Sequence, residues 1–132
     1  MPVRVLVVDD SNFFQHRLKD IINEHPELKV VGIASNGREA IDKAAELKPD
    51  IITMDFEMPV MDGYEACKRL KKDEKTSHIP LILLTAKSSV HSRIEGLETE
   101  ADLYLSKPFV PQELLLCMHN LIHSRRKLRE RY

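Results

Sequence analysis

The stretch Ile51-Ile52-Thr53-Met54-Asp55-Phe56-Glu57-Met58-Pro59-Val60-Met61-Asp62-Gly63 runs from a short apolar segment into a loop, and Asp55 stands at the junction. Such a run, bounded by turn residues, suits a strand covered on both faces, and strands of that kind belong to parallel sheets. Pro59 and the Asp62-Gly63 pair supply the turn chemistry that follows. Asp55 therefore ends a buried strand and opens a loop.

The same arrangement recurs on either side. Val3 to Val8 is β-branched and apolar almost throughout and is closed by Asp9-Asp10-Ser11. Ile79-Pro80-Leu81-Ile82-Leu83-Leu84-Thr85 predicts a fourth strand that ends on a hydroxyl. Ala101 to Leu105 predicts a short fifth strand, with Lys107-Pro108 just beyond it. Leu28 to Ile33 completes the set as the second strand.

Helical patterns fill the gaps. Ser11 or Asp10 caps a helix that carries Phe14, Leu18, Ile21 and Ile22 inward and stops before Pro26. Asn36 and Glu39 resemble a capping box for a helix with Ile41, Ala44, Ala45 and Leu47 on one face, ended by Lys48-Pro49-Asp50. A third helix starts near Asp62-Gly63 and buries Tyr64 or Ala66, Cys67 and Leu70 before a polar, solvated loop from Lys71 to His78. Ser88 or Ser89 caps a fourth, with Val90, Ile94 and Leu97 inward. Pro111 opens the last, with Leu114, Leu115, Met118, Leu121 and Ile122 buried. Strand and helix alternate five times, which argues for an α/β domain with helices on both faces of a parallel sheet.

In such sheets the functional crevice lies beyond the carboxyl ends of the strands. Asp9, Asp10, Asp55, Thr85 and Lys107 all fall at such ends. Converging carboxylates repel unless a cation joins them, and oxygen ligands favour magnesium over zinc. A carboxylate that attacks a phosphoryl donor forms an acyl phosphate, whose transition state mainly needs charge neutralisation and alignment. Lys107 and a metal suit the first need, and the Thr85 hydroxyl suits a phosphoryl oxygen.

Taken together, Val5-Leu6-Val7-Val8-Asp9-Asp10-Ser11, Asp55 before Met58-Pro59-Val60-Met61-Asp62-Gly63, Thr85-Ala86-Lys87 and Lys107-Pro108-Phe109 resemble the receiver domains of two-component response regulators. The likeness covers about residues 3–123. It implies a flavodoxin-like, doubly wound five-stranded parallel sheet of order 2-1-3-4-5 with five helices. It implies Asp55 as phosphoacceptor. It implies Mg2+ held by Asp10, Asp55 and the main-chain carbonyl of Glu57, with Asp9 acting through water. Lys107 would pair with the phosphoryl group across a cis bond to Pro108. Thr85 and Tyr104 would form the switch, read out on the face of the fourth helix, the fifth strand and the last helix. Tyr104 could equally be an amphipathic strand residue packed on the last helix. The donor implied is a histidine kinase or a histidine phosphotransfer protein; the output partner and homodimerisation are left open.

Residues 3–63 look most like the receivers of chemotaxis methylesterases and residues 64–132 more like those of hybrid sensor kinases, so a chimeric origin stands beside a natural divergent receiver. Glu100 replaces the glycine usual before Ala101-Asp102, which bears on the end of the fourth helix. Glu57 and Lys87, two residues after Asp55 and Thr85, border the phosphoryl entrance; they either pair as a gate or stand as two uncoupled surface charges.

Composition excludes several classes. With 132 residues, 42% hydrophobic and 31% charged, the chain has room for one domain and one core, read as a receiver over 1–123 and a basic helical extension or linker over 124–132. A formal net charge of -1 gives no general attraction to nucleic acid, and the basic end from Ser124 to Tyr132 lacks interleaved aromatics, so direct nucleic-acid binding is disfavoured. No apolar run approaches the roughly 20 residues of a membrane helix. A strand from Val3 leaves no place for a signal peptide, and Cys67 and Cys117 read as reduced thiols, so a cytoplasmic setting is expected. His119 and His123 share a helix face, but without further ligands a zinc site is not expected.

Two other functions compete. An aspartyl-phosphate phosphatase or phosphotransferase of the haloacid dehalogenase class would place Asp-x-Asp after the first strand, where Asp9 and Asp10 are adjacent. A flavodoxin-like cofactor carrier would need a phosphate-cradling loop there, which two carboxylates oppose. The expectation is a receiver without a catalytic activity of its own beyond its phosphorylation and dephosphorylation, with no methylesterase domain.

Overall fold

The structure, a computed structural model, describes residues 2–86 and 101–131. Five strands form one parallel sheet in the order β2-β1-β3-β4-β5: β1 (Val3–Val8), β2 (Leu28–Ala34), β3 (Ile51–Asp55), β4 (Leu81–Ala86) and β5 (Leu103–Lys107). Four helices lie among the described residues: α1 (Asn12–Asn23), α2 (Gly37–Leu47), α3 (Gly63–Lys72) and a C-terminal helix (Pro111–Arg131). The fourth of the five helices expected from sequence, with Val90, Ile94 and Leu97, lies outside the described residues, as does Glu100.

The uninterrupted apolar strands are explained by two cores, one on each face of the sheet. Leu6, Val8, Ile52, Met54, Leu81 and Leu83 meet Ala40 and Ala44 of α2 and Cys67 and Leu70 of α3. Val5, Val7, Ile51, Ile82, Leu84 and Leu105 meet Leu18 and Ile22 of α1 and Leu114 and Met118 of the C-terminal helix. Because successive strand residues point to opposite faces, β3 and β4 read as continuous hydrophobic runs. The ends of β1, β3 and β5 then carry Asp9, Asp55 and Lys107 to one edge of the sheet.

Local chemistry sets the helix ends. Ser11, Asn36 and Asp62 each cap a helix, accepting from the N–H of Phe14, Glu39 and Glu65. Lys48 ends α2 in the left-handed region (φ 49°, ψ 60°) with its N–H on the Ala44 carbonyl. A side chain with a Cβ is strained there and glycine is not. Lys48→Gly is therefore expected to stabilise the fold by about 0.5–1 kcal/mol, seen as a higher urea midpoint with an unchanged slope.

Two sequence expectations change. Phe14 is not a core residue: it is 40% exposed, and Gln15 is buried in its place. The segment after Leu70 is not simply solvated. Lys71 and Lys72 still belong to α3, the Lys71 ammonium pairs with Asp102 at 2.6 Å with little exposure, and the buried Thr76 hydroxyl donates to the Leu70 carbonyl. The C-terminal helix continues through the basic residues to Arg131.

Candidate functional site

Three acidic side chains meet beyond the carboxyl ends of β1 and β3. Asp9, Asp10 and Asp55 each offer one oxygen, and these oxygens lie within 4.8 Å of one another. Asp55 is 8% exposed and Asp9 1%, whereas Asp10 faces solvent. Lys107, at the end of β5, donates to Asp55 Oδ1 at 3.0 Å and stands 3.6 Å from Asp9 Oδ2. The second distance is an ion pair without a hydrogen bond, which leaves Asp9 Oδ2 buried with no hydrogen-bond partner.

The backbone fixes this cluster. Phe56 N–H donates to the Leu84 carbonyl at 2.8 Å, tying the residue after Asp55 to β4. Gly63 N–H donates to the Phe56 carbonyl at 2.8 Å, and a Cβ on Gly63 would lie 2.5 Å from the Asp55 carbonyl oxygen. Only glycine lets α3 start so close to the backbone that carries Asp55. Between them Val60 sits at φ 68°, a strained setting for a β-branched residue, on a loop closed by Gly37 N–H to the Met61 carbonyl at 2.9 Å.

Two contributors were not foreseen from sequence. Gln15 Nε2 donates to the Asp9 carbonyl at 2.6 Å and to Ser35 Oγ at 3.2 Å, holding the end of β1 to that of β2. It shares the buried face of α1 with Leu18 and Ile22. Phe14 lays its ring over Lys107, with Nζ 4.8 Å from the ring centre. Nothing in the spacing pairs residue 14 with residue 107.

The other expected residues fall as follows. Thr85 is the penultimate residue of β4, one beyond Leu84, which pairs with Asp55; its hydroxyl is buried without a hydrogen-bond partner. Such an orphaned polar atom at a crevice is costly unless a ligand meets it. Tyr104 is half-buried against the core beneath α2 and α3, so it does not pack on the last helix, which lies across the sheet. Glu57 follows Phe56 with its side chain exposed, while Lys87 lies outside the described residues, and with it the gate. The Lys107-Pro108 bond is cis. His119 and His123 stack with ring centres 5.9 Å apart, and among the described residues only the aspartate trio brings three ligand atoms together.

Burial raises the Asp55 carboxyl from 3.8 to about 6. Lys107 opposes this through its hydrogen bond and charge, and Asp9 and Asp10 add to it by repulsion. The cluster is thus underneutralised by one lysine. The donor set fits a hard divalent cation: all are oxygens, one is buried and unbonded, and opposite ligands of octahedral magnesium are about 4.2 Å apart. The three carboxylate oxygens, within 4.8 Å of one another, are close enough for one such ion to draw them together.

The chain belongs to the response regulator receiver domain family, whose model matches residues 5–119. It is 48% identical over 111 residues to a protein-glutamate methylesterase/protein-glutamine glutaminase of Saccharophagus degradans, covering 83% of this chain and 30% of that protein. It is 49% identical over 106 residues to the counterpart from Thermotoga maritima, covering 80% and 30%. Among solved structures, the response regulator domain of Thermotoga maritima CheB superposes with a TM-score of 0.83 at 40% identity, covering 93% of this chain and 98% of that one. The receiver domain of a Pseudomonas aeruginosa sensor histidine kinase superposes at 0.85 with 28% identity, covering 93% and 99%, and has a magnesium ion coordinated in its active-site cleft.

These findings bear on two expectations. A match of 111 residues within 132 must cross residues 63 and 64, so the methylesterase likeness extends into the second half. The expectation of a chain that is no enzyme is corrected: the relatives it matches are named as enzymes. It rested on the strand-end chemistry of a chain that spans about 30% of those relatives' length, too short a stretch to carry that negative. Among the described residues no helix is long and apolar enough to cross a membrane.

Proposed function

We propose that this chain is a phosphorylation-controlled switch in which Asp55 accepts a phosphoryl group from a phosphohistidine of a histidine kinase or phosphotransfer protein. The observation that carries the reading is the Asp55 carboxylate itself. It is almost buried, flanked by two carboxylates and bound by Lys107 at 3.0 Å. An Asp55 oxygen attacks phosphorus as the phosphorus–nitrogen bond breaks, and the leaving imidazole keeps the electron pair and takes a proton. Attack of water on phosphorus later returns inorganic phosphate and the free carboxylate.

Asp10, Asp55 and the main-chain carbonyl of Glu57 would hold Mg2+, with Asp9 joining through water. The ion would neutralise charge on the phosphoryl oxygens and align the donor. Lys107 stays beside the transferred group as its counter-charge. Thr85 Oγ1, buried and without a hydrogen-bond partner, donates to a phosphoryl oxygen. The move of Thr85 and Tyr104 biases a two-state equilibrium on the face that includes β5 and the C-terminal helix. Residues 1–123 form the receiver and 124–132 its basic extension. A cytoplasmic setting follows from a histidine-kinase donor. The relatives' name makes methylesterase the output best supported.

The test is intact-mass analysis after incubation with acetyl phosphate. One labile phosphoryl adduct is expected with Mg2+ and none with chelator, and Asp55→Asn should form none. Steady turnover of unrelated phosphoesters would favour a phosphatase instead; no adduct in any condition would overturn the reading.

A further inference from the structure

We infer that Phe14 is a positioning residue for Lys107, and that its aromatic face, rather than its bulk, holds the ammonium in line with Asp55. The inference rests on the phosphoacceptor reading and deepens it. Among the described residues, Lys107 Nζ has two carboxylates and one aromatic ring around it: Asp55 Oδ1 at 3.0 Å, Asp9 Oδ2 at 3.6 Å and the Phe14 ring at 4.8 Å from its centre. The two carboxylates pull the ammonium to one side. The ring face supplies a second, softer attraction from another side, because a cation above an aromatic ring meets its negative quadrupole.

The placement of Phe14 is otherwise hard to account for. It leaves the core of α1 to Leu18 and Ile22, gives the buried position beside it to Gln15, and exposes 40% of its own surface. Phe13 backs it edge-on, with ring centres 5.4 Å apart and planes at 82°, which favours a fixed orientation over free rotation. A residue that merely filled space would have no reason to stand at the crevice mouth.

The consequence concerns preorganisation. If metal binding takes up the charge of Asp55 and Asp9, the pull of both carboxylates on Lys107 weakens. The Phe14 ring is uncharged and is not consumed by that step. It keeps the ammonium near the place where phosphoryl charge will develop, so less reorganisation is needed in the transition state.

The test uses a small donor, so that protein docking does not enter. Rates of phosphoryl acceptance from acetyl phosphate with Mg2+ are compared for Phe14→Tyr, Phe14→Trp, Phe14→Leu and Phe14→Ala. Tyr and Trp should stay within about twofold of the parent, and Leu and Ala should both fall roughly two- to tenfold. The second readout is the NMR shift of the Lys107 ε-methylene in the metal-free, unphosphorylated chain. It should carry an upfield ring-current displacement that Tyr and Trp keep and Leu abolishes. A Leu variant as fast as the parent, or one that slows while the lysine resonance stays put, would overturn the proposal. A parent chain that accepts no phosphoryl group would overturn the function and the positioning role together, and the lysine resonance would still report whether the contact exists.

Discussion

Asp102→Ala is expected to destabilise the fold by about 3–5 kcal/mol, the range for breaking a buried ion pair and stranding its partner. Asp102 Oδ2 meets Lys71 Nζ at 2.6 Å and accepts from Leu81 N–H at 2.8 Å, while Asp102 N–H donates to the Leu81 carbonyl at 3.1 Å. One carboxylate thus ties the start of β5 to the start of β4 and to the end of α3. The lysine left behind is only 7% exposed and would keep the carbonyls of Ile79 at 2.8 Å and Ser77 at 3.4 Å as partners, with no counter-charge from Asp102. Asp102→Asn keeps an oxygen for Leu81 N–H and should cost less. Urea denaturation of both variants checks this; a loss under 1 kcal/mol for alanine would show that the bolt is dispensable.

Asp55→Asn is expected to do the opposite and stabilise the metal-free chain at pH 8, by about 1–3 kcal/mol after allowing for solvent screening. The Asp55 carboxyl is pushed up to about 6 in the folded chain from its ordinary 3.8, chiefly because burial penalises its charge. Between those values the folded state holds a proton that the unfolded state has released. The contribution of the neutral carboxyl is therefore fully present below 3.8 and lost as pH rises through 6. Parent and variant should be alike below about pH 4, diverge as pH rises from there to 6, and differ by a constant amount above it. Magnesium should narrow the gap at pH 8, since an ion at ten times its Kd stabilises the parent by about 1.4 kcal/mol. A variant no more stable than the parent at pH 8 would mean that Lys107 fully offsets the burial of Asp55.

The sheet was legible because its strands are buried on both faces: Val3–Val8 and Ile51–Asp55 admit almost no polar residue before the carboxylates that end them. The aspartates and Lys107 were legible for the same reason, as charges that stop apolar runs. What lies on α1 was not. Helical spacing cannot tell whether Phe14 or Gln15 turns inward when both border the apolar stripe. The choice is made by the Asp9 carbonyl and Ser35, which reward an amide at that point. Lys71 was read as solvated because it begins a run of charges, and its burial depends on Asp102, thirty-one residues away. Tyr104 was open between two faces until the alternation along β5 put Leu103 and Leu105 with the C-terminal helix and Tyr104 opposite.

The central claim is that Asp55, among three neighbouring carboxylates, is the one that takes the phosphoryl group. Borohydride reduces an acyl phosphate to an alcohol, so reduction of the phosphorylated chain followed by peptide mass analysis marks the acceptor as homoserine. Homoserine at position 55 alone, formed with Mg2+ and lost with chelator, is the predicted result. Homoserine at Asp9 or Asp10 instead, or a phosphorylated chain with none at position 55, would contradict it.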